Sequence, residues 1–482
     1  MGLFNSIRLG ASGAGGDYEI KRSLRNDVGT ADVSSGSYLS RTFASGNRKT
    51  FTISVWVKKC NTPGSLGDGD DQYSIFSTGG GGSGSSSGNL SFGSNDTIGL
   101  LSMESGSIHM HLKTTKKCRD PNAWYHIVCA VDTTQATASN RAKIYVNGVQ
   151  ETSFDTETYP SQNQDLYWNQ NNSHRIGANT VWSSGNTYGN HNGYIAEFYF
   201  IDGTALTPAS FGETNAETGQ WNPKKYVGSY GTNGFYVNFS DNSGATATTL
   251  GKDTSGQGNN WTPNSLGVGD SVKDSPTNNF CTLNSAIKSP GITFSEGNLK
   301  GVNSTEHKSV YGTFGLSSGK WYWEAEAISG SSTKWTYGVS DVENVGGKQV
   351  SGTNYLIGLT SGDNLTFVHG DVVSIYNSHL YKNGTKVTDS YTTNPSAGDI
   401  IGIALDVDAG KVWFSRNGTW INGSATASTT LDESNHDTTV ATGKVYTPAY
   451  SVENVGWCVN FGQDSSFANA KTAQGNTDGN GQ

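Results

Sequence analysis

Long apolar runs are missing from this chain of 482 residues, so no segment is suited to crossing a bilayer as a helix. A basic start followed by an apolar stretch is missing as well, and no secretory leader is expected. Charge is scarce: charged residues make up 15% of the chain, and the formal net charge is -9. The basic groups Lys21-Arg22 with Arg25, and Lys116-Lys117 with Arg119, are short and interrupted. Displacing counterions from nucleic acid takes a broad positive surface, so no nucleic-acid partner is expected. The five cysteines, Cys60, Cys118, Cys129, Cys281 and Cys458, are odd in number and share no CxxC spacing. That argues against a disulfide framework and for folding in a reducing cytoplasm. Long amphipathic helices, heptads and solenoid-length repeats are also wanting, so no coiled-coil or β-helix shaft is encoded.

What is present is glycine, 63 residues of it, and aromatic side chains at 11% against a hydrophobic total of only 33%. A few large rings filling the gap between two sheets suit thin β-sandwiches, and the expected class is all-β. The clearest segment runs from Gly398 to Gly418. Ile401, Ile403, Leu405 and Val407 alternate onto one face, Asp408-Ala409-Gly410 reverses the chain, and Val412 and Phe414 continue that face. Asn417-Gly418 then makes a second turn of the kind that tolerates positive φ.

This segment resembles the central signature of SPRY domains, which are β-sandwiches that bind partners through loops. Further stretches follow in that family's order: Lys320-Trp321-Tyr322-Trp323-Glu324-Ala325-Glu326-Ala327, Tyr337-Gly338-Val339-Ser340, Tyr446-Thr447-Pro448-Ala449-Tyr450-Ser451 and Trp457-Cys458-Val459-Asn460-Phe461-Gly462. The resemblance implies a SPRY-like sandwich over 291–470, with a polar tail at 471–482. Earlier in the chain, Phe51, Ile53, Val55 and Val57 alternate. Trp124-Tyr125-His126 opens a second strand, and Ala142, Ile144 and Val146 run into the hairpin signal Asn147-Gly148. With Arg175-Ile176-Gly177 and Gly193-Tyr194-Ile195-Ala196-Glu197, this order is similar to laminin-G and pentraxin-type concanavalin A-like jelly rolls, which implies a first sandwich over 36–212. Residues 1–35 read as a docking arm and linker. Residues 213–290 read as an ordered Gly/Asn-rich bridge, whose Phe235, Tyr236, Phe239 and Trp261 can pack onto a neighbour. The first six residues fit the loose myristoylation pattern, which a plain docking arm also fits.

Residue types and spacing allow chemistry at only a few places. Glu213-Thr214-Asn215-Ala216-Glu217 places two acids on one face, as glycoside hydrolases of the concanavalin A-like fold do, yet it lacks apolar anchors and reads as a solvated loop. Gly84-Ser85-Ser86-Ser87-Gly88 matches a nucleophile elbow without the flanking strand and helix. Asp406 with Asp408 is a pair suited to a cation or simply to a turn. His109 and His111 share a strand face but want a third zinc ligand. Asp68, Asp70 and Asp71 are metal candidates in a loop, although no cofactor is expected and nothing in the spacing supports calcium. No catalytic residue is assigned. For ligand binding the candidates are Trp168, Trp182, Tyr188 and His191, in Asn- and Gly-rich surroundings, and Trp335 and Trp420 near expected loop ends. Ring faces stack on sugars while amides and carboxylates take hydroxyl groups. The alternative use of such rings is to cover an open sandwich edge.

The two-sandwich order resembles virion and tail-fibre proteins of tailed bacteriophages, including cyanophage-like ones. Leu3-Phe4-Asn5-Ser6, Gly10-Ala11-Ser12-Gly13-Ala14-Gly15 and Asp202-Gly203-Thr204-Ala205-Leu206-Thr207-Pro208 are similar to segments of those proteins. The resemblance implies a non-enzymatic adhesin made in the host cytoplasm and carried on the virion. It would dock to other virion proteins by its N-terminus, assemble as a homo-oligomer (a trimer favoured), and display its sandwiches to a host-surface glycan or protein. Two alternatives remain: a polysaccharide depolymerase on the same fold, and a cellular SPRY-type interaction scaffold.

Overall fold

Strand Ile400–Asp406 reverses into Lys411–Arg416 with Leu405 opposite Val412. Ile401, Ile403, Leu405, Val407, Val412 and Phe414 all enter one core, as their alternation requires. The reversal needs Gly410, whose φ is +64° and whose Cβ, if it had one, would meet the Val440 carbonyl. In this computed structural model the residues described are 8–9, 18–27, 36–60, 72–79, 86–93, 95–180, 189–289, 291–303, 308–328, 335–344, 371–376, 378–388, 391–392, 394–423, 427–452, 456–473 and 475. The fold is all-β, and the large sheets of both compact units are antiparallel.

One unit comprises Ser12–Asn279. Its first sheet runs in the order Val149–Gln150, Ala142–Val146, Trp124–Asp132, Thr50–Lys59, Gly193–Asp202, Ser23–Asn26, Ser271–Val272. Its second runs Phe154–Thr158, Ser107–Thr114, Ile98–Glu104, Ser87–Gly93, Gln72–Gly79, Ser173–Ile176, Tyr38–Thr42, Thr262–Asn264. Phe51, Phe76, Phe198, Phe200, Phe235, Trp168 and Trp261 fill the space between them, mostly in edge-on or offset ring contacts.

Two expected segments turn out differently. Residues 213–279, read as a bridge, belong to this unit. Phe235–Val237 pairs with Gly193–Asp202, Thr262–Asn264 with Tyr38–Thr42, and Ser271–Val272 with Ser23–Asn26. Their polar composition hides the role, because side chains rather than long ladders tie the backbone down. Asp253 accepts the N–H groups of Tyr236, Ser255 and Asn259, and the Asn259 amide donates to the carbonyls of Thr232 and Gly234. Likewise, 1–35 is more than an arm: Ser23–Asn26 is a fully buried inner strand, with Arg25 ion-paired to Asp270 at 2.9 Å.

The other unit comprises Phe280–Gln482 with Met1–Ala11, and Arg8–Leu9 pairs in parallel with Phe314–Gly315. One sheet runs Leu283–Lys288, Lys308–Gly312, Tyr446–Val452, Thr336–Asp341, Val372–Tyr376, His379–Lys382, Thr385–Thr388. Its companion runs Thr293–Ser295, Lys300–Val302, Gly456–Asn460, Lys320–Ile328, Ile400–Asp406, Lys411–Arg416, Thr419–Trp420, with Thr438–Thr439 also on Lys411–Arg416. The start of the expected polar tail is held, since Lys471 donates to the Gly398 carbonyl at 2.8 Å and lies 3.3 Å from Glu326.

All five cysteines are buried and unbridged. Burial pushes the Cys118 thiol up to about 12 and raises those of Cys60 and Cys129. The native chain is therefore expected to resist a thiol reagent at neutral pH, and to yield all five thiols once denatured. Rapid reaction of any one of them in the native state would contradict this packing.

Candidate functional site

Three of the six rings expected to meet a ligand are core residues. Trp168 is fully buried, lies on Gly88, and donates its indole N–H to the Leu101 carbonyl at 2.9 Å. His191 is buried beside Phe92, and burial lowers its pKa to about 4. Trp335 packs edge-on to Trp457 at 4.8 Å in the core of the second unit. None of these offers a face to a sugar. Trp182, Tyr188, Asp68, Asp70 and Asp71 lie outside the described residues.

Trp420 remains, and it has a partner that sequence reasoning passed over. On strand Lys320–Ile328, Trp323, Ala325 and Ala327 point into the core, so Tyr322 and Glu324 face outward. Tyr322 is 52% exposed. The strand opposite supplies Gly402, where a Cβ would strike the Tyr322 hydroxyl and the Ser415 Oγ, so only glycine lets the tyrosine ring lie down on the sheet. Asn417 and Gly418, at φ +50° and +76°, make the two-residue turn that returns Thr419–Trp420 beside Ser415. The Tyr322 and Trp420 rings then stand 5.8 Å apart and tilted by 55°. Around them, the Tyr322 hydroxyl donates to Glu324 at 2.7 Å and the Asn460 amide donates to the other Glu324 oxygen at 3.4 Å. Lys320 and Glu433 pair at the exposed margin. The result is a shallow platform of two ring faces bordered by a carboxylate, an amide and a hydroxyl. The plain period-two alternation through Trp323 was the signal that marks Tyr322.

The acid and base groups elsewhere are otherwise engaged. Glu213 and Glu217 are exposed on a hairpin, where Asn215 accepts the N–H groups of Glu217 and Thr218. Asp406 accepts the Ala409 N–H within the turn, and Asp408 accepts the Gly319 N–H ahead of strand Lys320–Ile328, so both are engaged in holding the backbone. His109 is tied to Gln164, and no cluster of three metal-binding side chains occurs among the described residues. Ser54, His126 and Trp221 form a chain of hydrogen bonds at 2.9 Å each. An indole N–H only donates, so Nδ1 of His126 accepts, and the neutral ring carries its proton on Nε2 toward Ser54. The imidazole therefore has no lone pair aimed at the Ser54 hydroxyl and cannot activate it. Burial lowers the His126 pKa to about 3, which keeps the ring neutral between Trp56 and Trp221.

One buried acid went unnoticed in the sequence. Glu197 sits at a bulge with φ +49° and accepts from the hydroxyls of Tyr18, Tyr199 and Tyr236 at 2.9, 2.7 and 2.7 Å. Burial raises its pKa against those three hydrogen bonds. Being 3% exposed and held by three hydroxyls, it clasps Tyr18 to the sheet.

Comparison with known proteins follows the two units. Residues 33–212 match the concanavalin A-like lectin/glucanases superfamily, and residues 320–464 match the SPRY domain. No curated protein matches the chain. Among solved structures, the SPRY domain of human HERC1 is similar at 14% identity, covering 37% of this chain and 98% of that one with a TM-score of 0.25. A heptameric SAP-like pentraxin from Limulus polyphemus is similar at 15% identity, covering 39% of this chain and 80% of the other, TM-score 0.28. Domain 4 of AbnA, a GH43 extracellular arabinanase from Geobacillus stearothermophilus in complex with arabinotriose, gives 20% identity, coverage of 42% and 82%, and a TM-score of 0.27.

Proposed function

We propose that this chain, which joins a concanavalin A-like domain to a SPRY domain, is a non-enzymatic binding protein of a bacteriophage virion. It serves as a tail-fibre or surface adhesin and grips a host-surface glycan through the Tyr322–Trp420 platform. The observation that carries the reading is the open Tyr322 ring, laid over Gly402 beside Trp420 and bordered by Glu324, Ser415 and Asn460. Stacked rings take the apolar face of a sugar, while the carboxylate and amide take its hydroxyl groups. A platform this shallow holds one sugar weakly, so repetition of the chain on a particle, as a trimer or higher copy number, supplies the avidity. The N-terminal resemblance to virion proteins supports attachment to the particle through that end.

The test is binding of the full chain to a host-glycan array. Tyr322→Ala and Trp420→Ala are each expected to weaken binding about 30-fold, the equivalent of removing one hot-spot residue. Incubation with host polysaccharide should release no reducing ends, and mass spectrometry of purified particles should find the chain in several copies. Equal binding by both variants would overturn the platform, sugar release would overturn the non-enzymatic reading, and absence from particles would overturn the virion assignment.

A further inference from the structure

The SPRY unit holds a cavity of about 300 Å³ lined by Thr388, Tyr391, Gly423, Ser434, Asn435, His436 and Asp437. It lies where Thr385–Thr388, the edge strand of one sheet, meets the loops around Thr419–Trp420 and Thr438–Thr439 at the margin of the other. Lys382 crosses between the sheets here, donating to the Thr439 hydroxyl at 2.8 Å.

Asp437 is the cavity's carboxylate. One of its oxygens accepts the Phe414 N–H at 2.6 Å and the other accepts the Gly423 N–H, so two backbone donors fix the carboxylate in place. The Tyr391 hydroxyl stands beside it. A carboxylate has about four acceptor sites; the backbone takes two and the Tyr391 hydroxyl faces a third, which leaves acceptor capacity toward the opening. No lysine or arginine among the described residues ion-pairs with Asp437, whereas Asp399, Asp341 and Glu326 of the same unit each have a cation. The remaining wall is made of the hydroxyls of Thr388 and Ser434, the Asn435 amide, the ring of Tyr391 and the His436 imidazole, which lies close enough to Asp437 to favour its charged form. Burial raises the Asp437 pKa against the Tyr391 hydroxyl, the two backbone donors and the His436 ring, and a bound cation would act in the same direction as those four groups.

We propose that this cavity receives the cationic end of a partner's lysine or arginine side chain. The fixed carboxylate pairs with the ammonium or guanidinium group, and the Tyr391 ring lies along the apolar stem. The site shares no lining residue with the aromatic platform, so its test stands apart from the one above. The probes are arginine amide and n-butylammonium, with citrulline amide and n-butanol as uncharged counterparts, titrated calorimetrically into the full chain at low salt. Arginine amide is expected to bind saturably and at least tenfold more tightly than citrulline amide, with binding weakened by added salt. Whether arginine amide or butylammonium binds better decides which side chain the site suits.

Asp437→Asn should lower affinity at least tenfold. Because Asp437 also anchors two loops, Thr388→Lys serves as the second variant: Thr388 is exposed on the rim, and its replacement places a tethered cation at the carboxylate. That variant should lose binding with an unchanged melting temperature. Equal affinity for the charged and uncharged probes, no saturable binding up to about 10 mM, or wild-type binding by Thr388→Lys would each overturn the proposal.

Discussion

Replacing Lys58 by methionine is expected to destabilise the Ser12–Asn279 unit by about 3–5 kcal/mol, the loss that follows when one partner of a buried ion pair is removed. Both side chains of the Lys58–Asp274 pair are fully buried, with Nζ 2.8 Å from Oδ2. The pair is saturated from all sides: Lys58 also donates to Asn279 at 2.8 Å and lies 5.5 Å from the Tyr194 ring centroid, while the other Asp274 oxygen accepts the Trp124 indole N–H at 3.1 Å. Methionine fills the volume of lysine but leaves the Asp274 carboxylate without its counter-charge in a place water does not reach. Removing both charges in Lys58→Met with Asp274→Leu should therefore cost well under the sum of the single changes, and the double-mutant cycle in denaturant unfolding of the full chain measures the difference. The pair also joins strand Thr50–Lys59 to residue 274, beyond the part of the chain that matches the concanavalin A-like superfamily. A loss below about 1 kcal/mol for Lys58→Met would mean that the 213–279 segment is not integral to that unit.

This segment marks where sequence reading ends. The central SPRY hairpin is legible because Ile401, Ile403, Leu405 and Val407 are close in sequence, alternate strictly, and stop at a glycine turn. Ser23–Asn26, Thr262–Asn264 and Ser271–Val272 of the first unit are illegible because they are two to four residues long and carry no alternation to read. Ser23–Asn26 is buried between two strands, and its Arg25 pairs with Asp270, 245 residues away. The candidate site shows the same division. Trp168 and Trp335 sit in polar, glycine-rich wording that resembles a loop, yet Gly88 and Trp457 bury them, and neither contact can be read locally. Tyr322 was within reach of the sequence, since it lies one position from a core tryptophan on a regular strand; its flat seat on Gly402 was not, because that depends on which strand comes alongside. Local period survives in the sequence, whereas exposure depends on partners distant in the chain.

Acid should unfold the Ser12–Asn279 unit steeply, and the cause is three histidines. Burial holds His126 and His174 at about 3 and His191 at about 4, whereas the unfolded chain titrates near 6.5. From about pH 6.5 down to about pH 4 the unfolded state thus binds protons that the native state refuses, so stability is lost as pH falls. Three protons correspond to about 4 kcal/mol per pH unit. Glu197 opposes them: burial raises its pKa, so the native state takes up that proton earlier than the unfolded chain does. The net slope is then set by two to three protons, or about 3–4 kcal/mol per pH unit, against a domain stability of roughly 5–15 kcal/mol. Hydrogen exchange of peptides from Trp124–Asp132 and Gly193–Asp202, followed from pH 7 to pH 5, measures it. His174 isolates one proton, because its ring stacks on Phe43 at a centroid distance of 3.7 Å and donates from Nδ1 to the Asn172 carbonyl. His174→Phe keeps the stack and loses that single hydrogen bond, which lowers stability at pH 7. It also removes one titrating group, so its slope with pH should fall by about 1.4 kcal/mol per pH unit, and an unchanged slope would show that the native imidazole is already charged.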